Sequence, residues 1–222
     1  MTEVPSVESA ISQRARLATD VAGSSSTSIT SDHGASDPDP GLLKCLGHHL
    51  HAGETHYPVR PGMTSLRERV DAQVSKLGLP SRGASAVLIT ASEGEALFVT
   101  LLGLGAVPGG TVRGLVPAEH QSLLTWTGVS ITGLEYEGDP DPSARVIVIG
   151  TALFGGDHAV LEPTDIIIGS LRGLEGMRPF TLGFVAASPD TLTKITKWKQ
   201  ASSICSPAPS QRAALWAFGV RP

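Results

Sequence analysis

The sequence predicts an α/β protein in which helices cover both faces of a mainly parallel β-sheet. From residue 86 onward, short apolar runs rich in Val and Ile alternate with segments of helical spacing, and this alternation is typical of parallel sheets with crossover helices. The runs are apolar throughout, as expected for strands that are buried on both faces. With 222 residues, of which 41% are hydrophobic, the chain is long enough for one sizeable core.

Residues 1–40 are expected to form a short helix and an extended arm ahead of the domain of residues 41–222. The arm is rich in Ser, Thr, Asp and Gly, and only VESAISQRARLA has helical spacing within it. Disorder is the alternative for a segment of this composition.

The domain begins with two amphipathic helices. The segment PGLLKCLGHHLHAG starts with Pro-Gly, and Gly53 is expected to stop the helix. Its apolar face is predicted to consist of Leu42, Leu43, Leu46 and Leu50. The segment GMTSLRERVDAQVSKLG repeats the design, with Thr64 as the expected N-cap and Gly78 at the end.

Strands and helices alternate through the rest of the chain. In chain order, the predicted strands are AVLIT, TVRGLVP, VSITGLEYEG, ARVIVIG, TDIIIGS and TLGFVAA. The predicted helices are EGEALFVTLLGLG, HQSLLTWTG, SPDTLTKITKWKQ and APSQRAALWAFG. The third of these helices starts with a capping Ser188 and with Pro189 at its first position. We expect Lys194, Lys197 and Lys199 on that helix to form a solvated face.

Composition excludes several classes of partner. The formal net charge is −4, the basic residues are scattered, and only 5% of the residues are aromatic, so neither nucleic acid nor an anionic membrane surface is expected as a partner. No apolar run approaches the ~20 residues of a membrane span, and the N-terminus lacks the pattern of a secretion signal. We therefore expect a cytoplasmic protein. Cys45 and Cys205 are expected to be free, because two distant cysteines make no disulfide framework.

Three stretches occur in an order that resembles a known family. DPDPGLLKCLGHHLHAGETHYPVRPGMTSLRERV resembles that family's helix, Tyr-containing turn and Gly-x-x-x-Leu-Arg helix start. VLITASEGEALFVTLLGLGAVPGGTVRGLVP is similar to its strand, phosphate loop and helix, and GSLRGLEGMRPFTLGFVAASPDTLTKITKWKQASSICSPAPSQRAALWAF is similar to its lysine loop and the elements after it. The family is the fold-type I aminotransferases, the class I/II enzymes that use pyridoxal phosphate (PLP). The resemblance to their large domain covers about residues 32–218.

The resemblance also implies that the residues which hold PLP in the family are missing here. The lysine that forms the Schiff base corresponds to Gly173. The neighbouring Arg172 cannot replace it, because a guanidinium stays protonated and is not nucleophilic. The phosphate-gripping arginine corresponds to Thr181, and Ile149 and Gly150 stand where the aspartate that pairs with the pyridinium nitrogen is expected.

Further departures concern the end of the chain and the neighbouring subunit. The chain stops at Pro222, so the family's small C-terminal domain is expected to be absent. We therefore expect an aminotransferase-like large domain without the small domain, without PLP and without another cofactor. Tyr57 stands where the family sends a tyrosine into the partner's site, which implies a homodimer.

Polar residues are expected to meet at the carboxyl ends of the strands, where sheets of this class bind ligands. His120, Glu93 and Tyr57 are the candidate catalytic residues, since a histidine beside carboxylates suits proton transfer. The candidate substrate-binding residues are Ser92, Glu119, Arg172, Arg178 and His56. Tyr57 and His56 are expected to come from a partner subunit.

Each candidate also has a purely structural interpretation. His120 can bond to a backbone group, Glu93 can be a helix N-terminal acid favoured by the dipole, and Tyr57 can pack between subunits. For the two arginines the alternative is a surface ion pair with Glu175. The histidines of GHHLHAGETH are expected to lie on a solvated helix face without a metal, since no Cys or carboxylate completes a ligand set.

Two hypotheses of function follow. In the first, a repurposed enzyme performs PLP-independent acid–base chemistry, such as cyclisation, elimination or hydrolysis, on a small polar metabolite, with a role in bacterial specialised metabolism. In the second, a non-catalytic pseudoenzyme acts as a homodimeric binding or scaffolding partner of another protein, because the dimer face of such a domain needs to be covered.

Overall fold

The computed structural model describes residues 39–54, 56–133 and 145–221. The predicted helix VESAISQRARLA and almost all of the predicted arm lie outside these residues, as does the second half of the predicted strand VSITGLEYEG. The described residues belong to the compact unit Pro38–Pro222.

The described residues contain six α-helices and six β-strands, close to the places where the sequence predicts them. The helices are α1 (Pro40–His51), α2 (Thr64–Ser75), α3 (Glu93–Gly103), α4 (Gln121–Thr127), α5 (Pro189–Ser203) and α6 (Ala208–Ala217). The strands are β1 (Val87–Thr90), β2 (Thr111–Leu115), β3 (Ser130–Thr132), β4 (Val146–Gly150), β5 (Ile166–Ser170) and β6 (Gly183–Ala186). No helix in these residues is long and apolar enough to cross a membrane.

The strands form one sheet in the order β1-β6-β5-β4-β2-β3. β2 is parallel to both β3 and β4, and β4 is parallel to β5, whereas β6 is antiparallel to both β1 and β5. The prediction of a mainly parallel sheet is confirmed, but the reversal of β6 was not predicted. The connection from β5 contains only the 3₁₀ turn Leu171–Gly173 and no crossover helix. A parallel return usually contains such a helix, whereas an antiparallel return needs none.

The sheet is covered on both faces, as predicted. Alternate strand residues point to opposite faces, so Ile147 and Ile167 join one apolar cluster with α1, α2 and α6. Their neighbours Val148 and Ile168 join a second cluster with α3, α4 and α5. This two-sided burial explains why the strand sequences carry no polar alternation.

The first two helices differ in detail from the prediction. Leu42 and Leu46 of α1 are buried, but Leu43 is 51% exposed and Leu50 is 46% exposed, so the predicted apolar face is too wide. Leu43 lies off the stripe that the buried residues form, and Leu50 lies in the last turn, beyond it. Thr64 is also not the N-cap: it is the first residue of α2, and the capping residue Met63 donates its N–H to Gln211 Oε1 at 2.7 Å.

The prediction of a solvated lysine face on α5 is wrong for Lys199. Its side chain is 0% exposed, and its Nζ lies 3.3 Å from Glu95 Oε1 and 2.6 Å from Ser203 Oγ. The reason is that α5 packs against α3, which carries Glu95. Lys194 and Lys197 are exposed as expected. The Ser188 cap is confirmed, since its Oγ accepts a hydrogen bond from the Thr191 N–H.

Both cysteines are free, as predicted. Cys45 is buried in α1, and Cys205 is partly exposed after α5. Burial raises the pKa of the Cys45 thiol, although Arg212 and Arg221 oppose the effect. A thiol with a raised pKa is a poor nucleophile, so Cys45 serves the apolar packing of α1.

Candidate functional site

A cleft of about 450 Å³ lies at one edge of the sheet. It is formed where β1, β2, β4 and β5 end and β6 begins, which is the usual ligand position in open α/β sheets. The residues that line it are Ser92, Glu93, Gly94, Glu119, His120, Gly150, Thr151, Ser170, Arg172, Thr181 and Leu182.

Glu93 and His120 form the central contact of the cleft. Glu93 is the first residue of α3, after β1, and His120 ends the 3₁₀ turn Ala118–His120 that follows β2. His120 Nε2 lies 2.7 Å from Glu93 Oε1, and the side chains are only 14% and 11% exposed. His120 therefore pairs with a carboxylate rather than with a backbone group. The helix dipole favours a negative charge at the first residue of α3. The interpretation of Glu93 as a helix N-terminal acid is therefore compatible with its candidate catalytic role.

The turn that carries Glu93 is held at several points. Ser92 caps α3, with its Oγ accepting from the Glu95 N–H at 3.0 Å. Thr90 Oγ1 donates to the Ser92 carbonyl at 2.8 Å, and Glu95 Oε2 accepts from the Ala91 N–H at 2.6 Å. A Cβ on Gly183 would lie 2.4 Å from the Ser92 carbonyl carbon. The turn thus rests directly on the backbone of β6, which makes glycine necessary there.

A second carboxylate completes the polar cluster. Glu119 is exposed, and ligand-type atoms of Glu93, Glu119 and His120 all lie within 4.8 Å of one another. The second oxygen of the Glu93 carboxylate, Oε2, is buried and has no hydrogen-bond partner. It faces Gly150 at the end of β4, because a Cβ built there would lie 3.9 Å from it.

Arg172 brings a positive charge to the rim of the cleft. Its backbone N–H donates to Ser170 Oγ at 3.2 Å, which fixes the start of the 3₁₀ turn after β5. Its side chain is exposed, and no ion pair in the described residues joins it, or Arg178, to Glu175. The surface ion pair considered for these arginines is therefore absent, and Arg172 is available for an anion. Arg178 is exposed and does not line the cleft.

Tyr57 and His56 do not reach the cleft of their own chain. Both are exposed, Tyr57 by 79%, and neither lines the cleft. Their contribution to the site of a partner subunit stays a prediction.

Thr151, Ser170 and Thr181 line the cleft but were not among the candidate site residues. Thr151 and Ser170 stand at the ends of β4 and β5. The rule that selected Glu93 and His120, polar residues at carboxyl ends of parallel strands, selects these two as well. Thr181 precedes the reversed strand β6, so this rule does not reach it.

The fold is that of the large domain of fold-type I aminotransferases. The MJ0684 protein from Methanococcus jannaschii, described as similar to kynurenine aminotransferases in its active site, matches with a TM-score of 0.65 at 16% identity, over 83% of this chain and 62% of that one. An aromatic aminotransferase from Pyrococcus horikoshii gives 0.66 at 14% identity, over 84% and 65%. An aspartate aminotransferase from Thermotoga maritima gives 0.64 at 15% identity, over 84% and 66%. The chain thus spans just under two thirds of the length of these structures. No protein-family model and no curated protein matches the sequence.

The donor set of the cleft does not fit PLP. None of the described residues that line it is a lysine, and the carboxylate of Glu93 stands at the start of α3, where it would repel a phosphate placed at that helix end. A Cβ on Gly173 would lie 2.7 Å from Phe154 Cδ2 and 3.2 Å from Thr151 Cβ. A lysine at residue 173 would therefore require its neighbours to shift.

Proposed function

We propose that the protein is an enzyme that performs PLP-independent acid–base chemistry on a small anionic metabolite, with cyclisation, elimination or hydrolysis as the reaction types. The observation that supports it is the 2.7 Å contact of His120 Nε2 with Glu93 Oε1 inside the cleft. A histidine oriented by a carboxylate is a common general base. A cytoplasmic location and a place in bacterial specialised metabolism belong to the same proposal.

The roles of the residues follow from the geometry of the pair. An ionised Glu93 accepts the N–H of His120 Nε2 and leaves Nδ1 as the ring nitrogen with a free lone pair. Nδ1 accepts a proton from the substrate, and Glu93 stabilises the imidazolium that results. The imidazolium then returns the proton to the product or to the leaving group. Arg172 binds a carboxylate or phosphate of the substrate at the rim, and Ser92 and Glu119 bind its polar groups.

A second candidate function is that of a non-catalytic, homodimeric binding or scaffolding protein. The observation in its favour is the exposure of apolar side chains after α1, where Tyr57 is 79% and Val59 is 60% exposed. Exposed apolar groups that cluster are typical of surfaces covered by a partner. The proposed partner is a second copy of this chain, or another protein.

Substitution of the central pair separates the two functions. Glu93→Gln and His120→Gln are expected to abolish the binding or turnover of small carboxylate and phosphate metabolites, measured by thermal shift and by product analysis. Both variants should keep the mass of the assembly in light scattering. Glu68→Gln and His51→Gln, which change exposed residues of the same types, are the matched controls. A panel in which all four variants behave like the unmodified protein, combined with loss of assembly in Tyr57→Ser, would favour the scaffolding function instead.

A further inference from the structure

The polar cluster of the cleft contains two carboxylates, those of Glu93 and Glu119, beside a single imidazole, that of His120. Glu93 and Glu119 each place an oxygen within 4.8 Å of the other and of a His120 nitrogen. Two ionised carboxylates this close repel each other unless a positive charge lies between them. In the described residues neither Glu93 nor Glu119 forms an ion pair with a lysine or an arginine.

The buried oxygen of Glu93 is an independent sign of a missing partner. The Glu93 side chain is only 11% exposed, and its Oε2 is fully buried without a hydrogen bond. Burying a carboxylate oxygen without a hydrogen-bond partner is destabilising. The hydrogen bond of Oε1 to His120 leaves this cost in place, because it satisfies the other oxygen.

We propose that Glu93, Glu119 and His120 bind a divalent cation of the first transition row, such as Zn²⁺. Two carboxylates and one imidazole are a ligand set that zinc accepts, with three protein ligands and an open position for water or substrate. An imidazole nitrogen disfavours Mg²⁺ and Ca²⁺, which prefer oxygen ligands alone. The sequence predicted no metal at the histidines of GHHLHAGETH, whereas Glu93, Glu119 and His120 come together only where two strand ends meet in the fold.

The cation would replace the contact of His120 with Glu93 by bonds from both residues to the metal. Ligand atoms that lie within 4.8 Å of one another require a small movement of the side chains to reach about 2.0–2.2 Å from a common ion. Glu119 is exposed, so a cation held by these residues would be accessible to water or substrate in the cleft. The inference goes beyond the proposed function, because a bound cation would supply a metal-bound water as the basic group of the cleft in place of the His120–Glu93 pair.

Zinc binding can be measured without any activity. The full chain, stripped with EDTA and dialysed, is titrated with ZnCl₂ by calorimetry, and Co²⁺ is added separately to look for the absorption bands of a low-coordinate protein site. We expect one zinc per chain and a loss of affinity of at least about 10-fold in Glu93→Gln, Glu119→Gln and His120→Gln. Circular dichroism checks that each variant is folded.

A double variant of the exposed histidines on α1, His48→Gln with His51→Gln, is the matched control and should bind zinc like the unmodified chain. Zinc affinity that falls in this control but not in the cleft variants, or no zinc binding above that of the buffer, would overturn the inference. Retained metabolite binding by the EDTA-stripped chain would then leave the proposed function standing. Conversely, zinc binding that depends on Glu93, together with no metabolite binding or turnover, would overturn the proposed function alone.

Discussion

The two ends of the parallel strands carry pairs of polar side chains that differ in how many of their hydrogen bonds are made. At the amino ends, Arg145 precedes β4 and Asp165 precedes β5, and two hydrogen bonds of 2.7 Å join them. Arg145 also donates to the Val160 carbonyl at 3.2 Å, and Asp165 accepts the Glu162 N–H at 2.7 Å. At the carboxyl ends, Glu93 has one oxygen paired and the other without a partner.

The comparison separates a structural pair from a candidate functional one. Asp165 is 0% and Arg145 8% exposed, and both carboxylate oxygens of Asp165 are bonded. Such a pair ties two strands together and leaves no group for a ligand. The Glu93–His120 pair at the carboxyl ends lines a cleft, and Glu93 Oε2 has no hydrogen-bond partner. An unsatisfied polar group that lines a cleft is a candidate for contact with a ligand.

The largest expected effect is at the amino ends. Arg145→Met leaves the buried Asp165 carboxylate without its main partner, so we expect the free energy of unfolding to fall by about 3–5 kcal/mol. Urea denaturation followed by circular dichroism measures it. Arg172→Met, which removes an exposed arginine without an ion pair, is the control and should change the value by less than about 0.5 kcal/mol. Equal losses in the two variants would remove the distinction between the two ends.

A smaller effect is expected at the carboxyl ends. Glu93→Gln removes a charge that is only half satisfied, so the free energy of unfolding should change by about 1 kcal/mol or less. The same variant is expected to lose zinc and metabolite binding. The measurement is urea denaturation of the EDTA-stripped protein, which keeps metal binding out of the comparison. A loss as large as that of Arg145→Met would identify the Glu93 pair as structural.

The smallest effect belongs to Glu54, which pairs with Arg212 at 2.7 Å and with His49 at 3.0 Å near the surface. Burial would raise the pKa of Glu54, but the hydrogen bonds from Arg212 and His49 outweigh it and lower the pKa below the ordinary 4.5. The stabilisation is therefore present above pH 4.5 and is lost as the pH falls through the lowered value.

Glu54→Gln removes this pH dependence. We expect the unmodified chain to be slightly more stable than the variant at pH 7, and the difference to vanish as the pH is lowered well below 4.5. Thermal unfolding of both proteins across this range gives the measurement. A difference that grows on acidification would mean that the pKa of Glu54 is raised in the folded protein.

Much of the fold was predictable because two-sided burial leaves a direct trace in the strand sequences. Runs such as VIVIG and IIIG have no polar alternation, so they mark strands covered on both faces. The direction of β6 was not predictable from such runs, because an apolar strand reads the same in either orientation. Lys199 was misplaced for a similar reason: helical spacing says which residues share a face, but not that this face meets Glu95.

Only the proximity of the central site residues was predictable from the sequence. Glu93 and His120 follow strand ends, and parallel strand ends meet at one edge, so their proximity was expected. The rule says nothing of the distance between side chains or of the unpaired oxygen of Glu93. The Arg145–Asp165 pair was not predicted, because a charged residue just before a strand is equally typical of a solvated loop.

The position of β6 has a consequence for how the polypeptide acquires its shape during synthesis. β1 (Val87–Thr90) has no neighbour in the sheet until β6 (Gly183–Ala186) leaves the ribosome and inserts beside it. Until then the chain carries an unpaired apolar strand and an open edge on β5, both of which attract other chains. Expression at low temperature or with a holdase chaperone should therefore raise the yield of native protein. The gain should be larger than for proteins in which strands that are neighbours in the sheet also follow one another in the chain.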